Sequence, residues 1–191
     1  VHKTNFHNII APNSYLTPPK EKQAITDSFK KNNSKLKIGF SWQGNPLAGA
    51  FRSIKLQKWL PLIDYFQDTA DFYSLQKGPG EEQLNFSSKI NNIIPLGHLF
   101  EDFCDTATAI SKLDLVITID SSIAHLSGAL GKPTWILLPV ANDWRWFLKR
   151  SDSPWYPSVT LFRREIKEEW SNVFKRVKIM LEPLTKKSYG N

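Results

Sequence analysis

Cysteine is almost missing from this sequence. One thiol, Cys104, in 191 residues excludes an intramolecular disulfide framework and a cysteine-rich zinc site. A lone thiol fits a reducing compartment, and Cys104 reads as a buried filler rather than a nucleophile. Long apolar runs are lacking too. None approaches the ~18 residues that a membrane helix requires, and residues 1–20 hold no apolar core of signal-peptide length. The first residue is Val1 rather than Met, which suggests a piece of a longer protein. Acidic residues are the minority: 25 Lys and Arg stand against 18 Asp and Glu, a formal charge of +7. A nucleic-acid binder would gather such charge into a stripe with exposed aromatics. Here the cations are scattered, and Lys30-Lys31, Arg163-Arg164 and Lys186-Lys187 read as solvated faces and a tail. The excess still suits an acidic lipid or a phosphorylated small molecule. Histidine is scarce, and His2, His7 and His98 have no ligand partner at metal spacing.

What is present is ordinary for a globular domain: 41% hydrophobic and 23% charged residues. A chain of this length can bury roughly 70% of its unfolded surface. Residues 1–20 carry Ala11-Pro12-Asn13 and Pro18-Pro19 without periodicity and read as a linker or arm. Residues 21–33 suit a short helix with Ala24, Ile25 and Phe29 on one face. The expected organisation is 1–34 linker and short helix, 35–185 one domain, and 186–191 a tail. Within the domain, strands are expected at 36–42, 71–75, 92–96, 113–119, 134–138 and, at an edge, 159–162. Helices are expected at 56–66, 102–112, 121–130 (closed by Gly131) and 168–181. The helical faces are Trp59, Leu60, Ile63 and Phe66, and Trp170, Val173, Phe174, Val177 and Leu181. Strand and helix alternate, and 113–119 is a near-continuous apolar run. That pattern predicts an α/β fold, a doubly wound parallel sheet with helices on both faces.

Ligands of such sheets sit outside the carboxyl ends of the strands. The residues there are Gln43-Gly44-Asn45, Gln76-Lys77-Gly78, Gly97-His98, Asp120-Ser121-Ser122 and the stretch 139–145. They are small, polar or cationic, a suitable lining for an anion. The strongest segment is 113–126. A buried strand runs into a helix with Asp120 at the junction, a favourable N-cap position. Ser121 and Ser122 fall in the first turn, where unpaired amides and the helix dipole attract phosphate. His125 follows at spacings of four and three, on the same face. The competing reading is a capped helix with a satisfied histidine. Asp120 repels anions, so it either turns to the cap amides or accepts from a sugar hydroxyl.

Lys77 could reach a diphosphate as a point charge, or be an exposed turn lysine. Arg52, after the loop 44–49, has the same two readings. That loop lacks the Gly-Lys-Ser/Thr of a Walker A motif and is no G-x-G-x-x-G fingerprint, which disfavours ATP hydrolysis and NAD redox. Asp143-Trp144-Arg145-Trp146 could stack on a base or sugar and grip a phosphate. The alternative is a structural cluster with Trp155 and Tyr156.

Several segments resemble one family: Lys37-Ile38-Gly39-Phe40-Ser41-Trp42-Gln43-Gly44-Asn45-Pro46, Phe72-Tyr73-Ser74-Leu75-Gln76-Lys77-Gly78, residues 114–121, Ala124-His125-Leu126, residues 131–139 and Asp143-Trp144-Arg145-Trp146. The likeness is to the bacterial glycosyltransferases related to ADP-heptose:lipopolysaccharide heptosyltransferases (glycosyltransferase family 9), notably members with upstream tetratricopeptide repeats. It runs from about Leu36 to the last helix. It implies one half of a GT-B fold, the C-terminal, nucleotide-sugar half, with 1–20 as the connector between halves. It implies an inverting, metal-independent transfer with no cofactor. The donor would be a nucleoside-diphosphate sugar, with ADP the first guess. The acceptor would be a glycan, a lipid-linked glycan or a protein, and the setting the cytoplasm or the inner membrane face.

The resemblance places Ser121, Ser122, His125 and Lys77 at the donor diphosphate and Asp120 at the sugar or holding the loop. It leaves Ser41, Gln43, Gly44, Arg52, Gln76, Gly78, Asp143, Trp144 and Arg145 as cleft lining. The general base, and hence every catalytic residue, would lie in the N-terminal acceptor half, so this chain alone is expected to be inactive. A non-catalytic nucleotide-sugar-binding or scaffold module is the alternative. An epimerase would need carboxylates at the strand ends, which offer few, and a nucleic-acid binder would need the basic stripe.

Overall fold

The computed structural model describes residues 9, 11–18, 22–29, 34–85 and 92–187. Six strands, β1 (Leu36–Ser41), β2 (Ala70–Ser74), β3 (Ile93–Pro95), β4 (Leu115–Ile119), β5 (Thr134–Leu138) and β6 (Val159–Arg163), form one sheet in the order β3-β2-β1-β4-β5-β6. All five pairings are parallel. Helices α1 (Gln23–Asp27), α2 (Pro46–Gly49), α3 (Leu60–Phe66), α4 (Phe103–Ser111), α5 (Ser122–Ala129) and α6 (Trp170–Lys187) complete the chain. The expected doubly wound α/β sheet is the one observed.

Strand periodicity sends alternate side chains to opposite faces, and two layers of core follow from it. Leu115, Ile117 and Ile119 of β4, with Trp135 and Leu137 of β5, pack with Trp59, Ile63 and Phe66 and with Val173, Val177 and Leu181 of α6. Val116 faces the other way, into a layer with Ile25 of α1 and Ala109 and Ile110 of α4. Ile136 and Leu138 of β5 share that side in a smaller cluster with Ala124 and Trp146. All five residues of β4 and of β5 are buried, which is why these strands lack polar alternation.

Several boundaries differ from expectation, each for a local reason. The helix expected at 56–66 is a 3-10 turn at Leu56–Lys58 followed by α3. Pro61, with no N–H to donate, suits the second position of a new helix and not the interior of a continuous one. The glycine loop after β1 contains α2, capped by the Asn45 side chain, which accepts from the Leu47 amide. The last helix does not stop at Leu181. It passes Pro183 and reaches Lys187, with Thr185 buried and its hydroxyl donating to the Glu182 carbonyl. Cys104 is exposed on the outer face of α4, so the buried-filler reading is wrong. Its neighbours Asp105 to Ile110 supply the inner face instead.

The helix expected at 21–33 lies partly outside the described residues, as does most of the arm at 1–20. In the described part α1 buries Ile25 and the turn after it buries Phe29, which stacks on Tyr73 at 4.5 Å, but Ala24 is exposed. The backbone amides of Tyr15 and Leu16 both donate to the Ala129 carbonyl at the end of α5. No helix of the described residues is long and apolar enough to cross a membrane.

Ile117 is fully buried at the middle of the sheet. Ile117→Ala should lower unfolding free energy by about 2–5 kcal/mol in denaturant titration, while Ile166→Ala, at a site 78% exposed, should change it by less than about 0.5 kcal/mol.

Candidate functional site

The strand order reverses direction between β1 and β4, which stay paired as far as Ser41 and Thr118, so it is the loops after them that part. A cleft of about 820 Å³ opens at that point. Of the residues singled out in the sequence, it is lined by Ser41, Gln43, Gly44, Arg52, Gln76, Lys77, Asp120, Ser121, Ser122 and His125. Gly78, Asp143, Trp144 and Arg145 are not in its lining.

β4 delivers its last residue, Ile119, directly into the turn before α5. Ser121, with extended backbone at φ −150°, is the N-cap, and its side chain caps no amide. Its hydroxyl lies 3.4 Å from that of Thr118, which in turn reaches Ser41. The early amides of α5, at Ser122 and Ile123, therefore border the cleft without a side-chain cap. First-turn amides of a helix have no intrahelical acceptor, and they carry the positive end of its dipole.

Asp120 is not the cap. Its carboxylate, 3% exposed, accepts from the Arg52 guanidinium at 3.1 Å. The expectation that it turns to the cap amides thus fails, because a cation from the loop after β1 reaches it first. The pairing offsets the negative charge beside α5 and holds the guanidinium in the cleft wall.

Gln76 ties two loops together. Its Oε1 accepts from the amides of Trp42 and Gln43 at 3.1 and 3.0 Å. Its Nε2 donates to the carbonyls of Gln43 and Pro79 at 3.0 and 2.7 Å. Both lone pairs and both protons of the amide are used, so Gln76 shapes the cleft and has nothing left for a ligand. Gln43 Oε1 likewise accepts from Gln83. Lys77 is drawn to the carbonyl of Phe100, linking the loop after β2 to the approach of α4. Gly78 belongs to the turn: its φ is +75° and its amide donates to Glu81. Gly80, at φ +101°, also leaves room for Gln43, whose Cβ lies 2.9 Å from where its own would stand.

His125 sits half-buried, stacked on Trp146 with ring centroids 5.1 Å apart, and its Nδ1 is 3.0 Å from the Tyr156 hydroxyl. Burial pushes the imidazole below its ordinary pKa. Asp120 and Asp143 oppose that shift, and Arg145 and Arg52 add to it. The neutral ring is the form held at pH 7. The 143–146 segment divides by residue. Asp143 caps the following turn and pairs with Arg145, whose guanidinium lies 4.9 Å over the exposed Trp144 ring. Trp144 meets Trp155, and Trp146 meets Tyr156, the structural cluster foreseen as the alternative.

Part of the lining escaped the sequence analysis. Phe100, Glu101, Asp102, Phe103 and Thr106, at the approach to α4 and in its first turn, also line the cleft. The approach to α4 was the available signal, since Asp102 is a visible N-cap, but nothing in it pointed inward. Among the described residues, no three His, Cys, Asp or Glu side chains converge as a metal-binding group.

No protein-family model matches the chain. Protein FlbA of Caulobacter vibrioides is 30% identical over 149 residues, or 74% of this chain and 24% of FlbA. The chain thus spans about a quarter of the curated relative it matches. Solved structures share the fold. The ADP-heptose LPS heptosyltransferase II of E. coli superposes with a TM-score of 0.66 at 15% identity, over 86% of this chain and 51% of its own. A glycosyl transferase family 9 protein from Veillonella parvula gives 0.64 at 18%, over 86% and 50%. E. coli heptosyltransferase WaaC, solved with ADP-2-deoxy-2-fluoro heptose, gives 0.58 at 15%, over 86% and 50%. This chain has the fold of one half of a GT-B glycosyltransferase of the heptosyltransferase type.

Proposed function

We propose that this chain is the donor-binding half of a glycosyltransferase that takes a nucleoside-diphosphate sugar and transfers the sugar with inversion, without a metal. The observation that carries the reading is the convergence of the early α5 amides, Ser121, Ser122, His125 and Arg52 on one end of the cleft. It is supported by the shared fold with WaaC, which was solved with an ADP-sugar analogue.

The chemistry asks for what that end supplies. In an inverting transfer an acceptor oxygen attacks the anomeric carbon and forms the new bond. The bond from that carbon to the diphosphate oxygen breaks, and its electron pair stays on the phosphate. The acceptor proton passes to a base in the other half of the protein. Charge growing on the leaving phosphate is stabilised by fixed donors in a site that excludes water. The α5 amides and dipole, the Ser121 and Ser122 hydroxyls, the His125 imidazole and the Arg52 cation are such donors. Asp120, neutralised by Arg52, stands where it holds the guanidinium rather than repelling the anion. Lys77, already bonded to Phe100, contributes field at longer range. The exposed Phe103 ring suits the nucleoside, with ADP the first candidate. The acceptor is a glycan, a lipid-linked glycan or a protein.

Calorimetric titration with ADP, UDP, GDP and CDP, with and without EDTA, tests this. One diphosphate should bind equally in both conditions, and His125→Ala should weaken it by about tenfold to a hundredfold. Dependence of binding on a divalent cation would remove the metal-free reading, and an unchanged affinity in the variant would remove His125 from the site.

The pH dependence has a definite sign. Burial depresses the folded pKa of His125 below 6.5. In the free chain its stabilising contribution is complete above that value and is lost as pH falls through the depressed one. At pH 7.5 a bound diphosphate meets the neutral ring, and as pH falls it favours the imidazolium, so binding there takes up a proton. The ratio of wild-type to His125→Gln affinity should therefore grow as pH falls from 7.5 towards 6, a ratio that cancels the titration of the nucleotide itself.

A further inference from the structure

Tyr156 lies outside the cleft lining, yet it touches the side chain that carries the most weight there. We propose that Tyr156 is a positioning residue that donates to Nδ1 of His125, fixes the imidazole as its Nε2–H tautomer, and so turns a neutral N–H donor towards the cleft. The proposal rests on the reading of that cleft as a diphosphate site.

Three observations carry it. The Tyr156 hydroxyl is 3.0 Å from Nδ1. A neutral imidazole has one N–H and one bare nitrogen, and a partner at one nitrogen decides which is which. If Tyr156 donates, Nε2 keeps the proton. If it accepts, Nε2 presents a lone pair to any anion in the cleft, which is repulsive.

The second observation is a seat built for the ring. A Cβ at Gly128 would stand 2.5 Å from Tyr156 Cγ and 2.7 Å from Cδ1. Gly128 lies three residues after His125 on α5, on the same face. A glycine inside a helix is unfavourable relative to alanine, and here it lets the phenol lie against the helix backbone within reach of the imidazole. The third is that the partners cannot drift. Trp146 stacks on His125 with an interplanar angle of 20° and itself lies 6.3 Å from Tyr156, so the three rings brace one another. Tyr156 stands three residues before β6, and there the Val159 amide donates to its carbonyl at 3.0 Å and the Thr134 amide to that of Ser158 at 3.1 Å. Burial, and after it a hydrogen bond with Tyr15, raise the phenol pKa well above its ordinary value, so the hydroxyl keeps its one proton, and the tautomer of His125 decides whether Nδ1 or Tyr15 receives it.

A ring that merely fills space would serve as well without its hydroxyl, and this separates the two roles. The test is the long-range proton–nitrogen spectrum of the 191-residue chain with labelled histidine at pH 7.5, the His125 signals assigned by their loss in His125→Gln. Wild type should show a protonated Nε2 and a bare Nδ1. Tyr156→Phe should shift the ring to a mixture of tautomers and weaken ADP binding about five- to tenfold. A wild-type ring protonated at Nδ1, or a tautomer unchanged in Tyr156→Phe, overturns the proposal. Coupling across the hydrogen bond from the Tyr156 hydroxyl to Nδ1 examines the same contact in wild type alone, and its observation there stands even if the variant does not fold. Failure of the wild-type chain to bind ADP would count against an ADP-binding cleft, while the tautomer still decides the part played by Tyr156.

Discussion

A carboxylate at the end of a fully buried strand sets the terms for everything around it. Asp120 follows β4 with 3% of its surface exposed, and an isolated charge at that depth is strongly unfavourable. The remedy is Arg52, carried on the loop after β1 and bonded at 3.1 Å. A neighbouring strand's loop is thereby drawn across the switch point, and the cleft acquires its wall. The same bond changes the sign of the local field. Without it the first turn of α5 would face an anion of its own. With it the dipole, the early amides and the guanidinium act together on whatever enters.

The remaining loops are held by polar groups that have no freedom left. Gln76 spends all four of its hydrogen-bonding positions on backbone groups of the loops after β1 and β2. Arg163 does the corresponding work for the loop after β5, bonding the carbonyls of Arg150 and Trp146 and the side chain of Asn142. Gln76 looks functional in sequence because it is polar and near a strand end, and Arg163 reads there as a solvated face, which the fold corrects, since its guanidinium is part-buried against backbone carbonyls. In the fold both are scaffolding that lets others function. On the proposed reading the residues that meet the diphosphate are fewer: the first turn of α5, His125 and Arg52.

This division explains what was legible in the sequence. The sheet was, because burial on both faces writes apolar runs such as Leu113 to Ile119 that need no partner to be recognised. The Asp120–His125 segment was too, because a strand running into a helix puts hydroxyls, amides and an imidazole together within six consecutive residues. Bonds between distant segments were not. Arg52 and Asp120 are 68 residues apart, His125 and Tyr156 are 31 apart, and no local pattern marks either pair. For the same reason Asp120 was misassigned to the cap. Its short side chain can serve the helix amides, and only the position of Arg52 decides that it does not. Cys104 was misplaced because a thiol carries no signal about helix face, which is set by neighbours that cover the other side.

The far end of α5 bears on what its near end can do. The helix closes at Gly131, whose φ of +69° permits the left-handed turn and whose missing Cβ leaves the Asn13 carbonyl room at 2.6 Å. Ala129, with a carbonyl that would otherwise lack a partner, receives the amides of both Tyr15 and Leu16. Lys132 reaches the carbonyls of Ser111 and Leu113, pinning the next turn to α4 and the approach to β4. A short helix of eight residues gains little from its own propensity, so its orientation comes from these ties and from the Gly128–Tyr156 contact along its side. The consequence is at the other end. Amides that no side chain caps are costly to order at the moment of binding, unless the helix bearing them is already fixed. Held at its carboxyl end and along one face, α5 presents its first turn in place before any ligand arrives, which is the condition under which fixed donors stabilise developing charge without reorganisation.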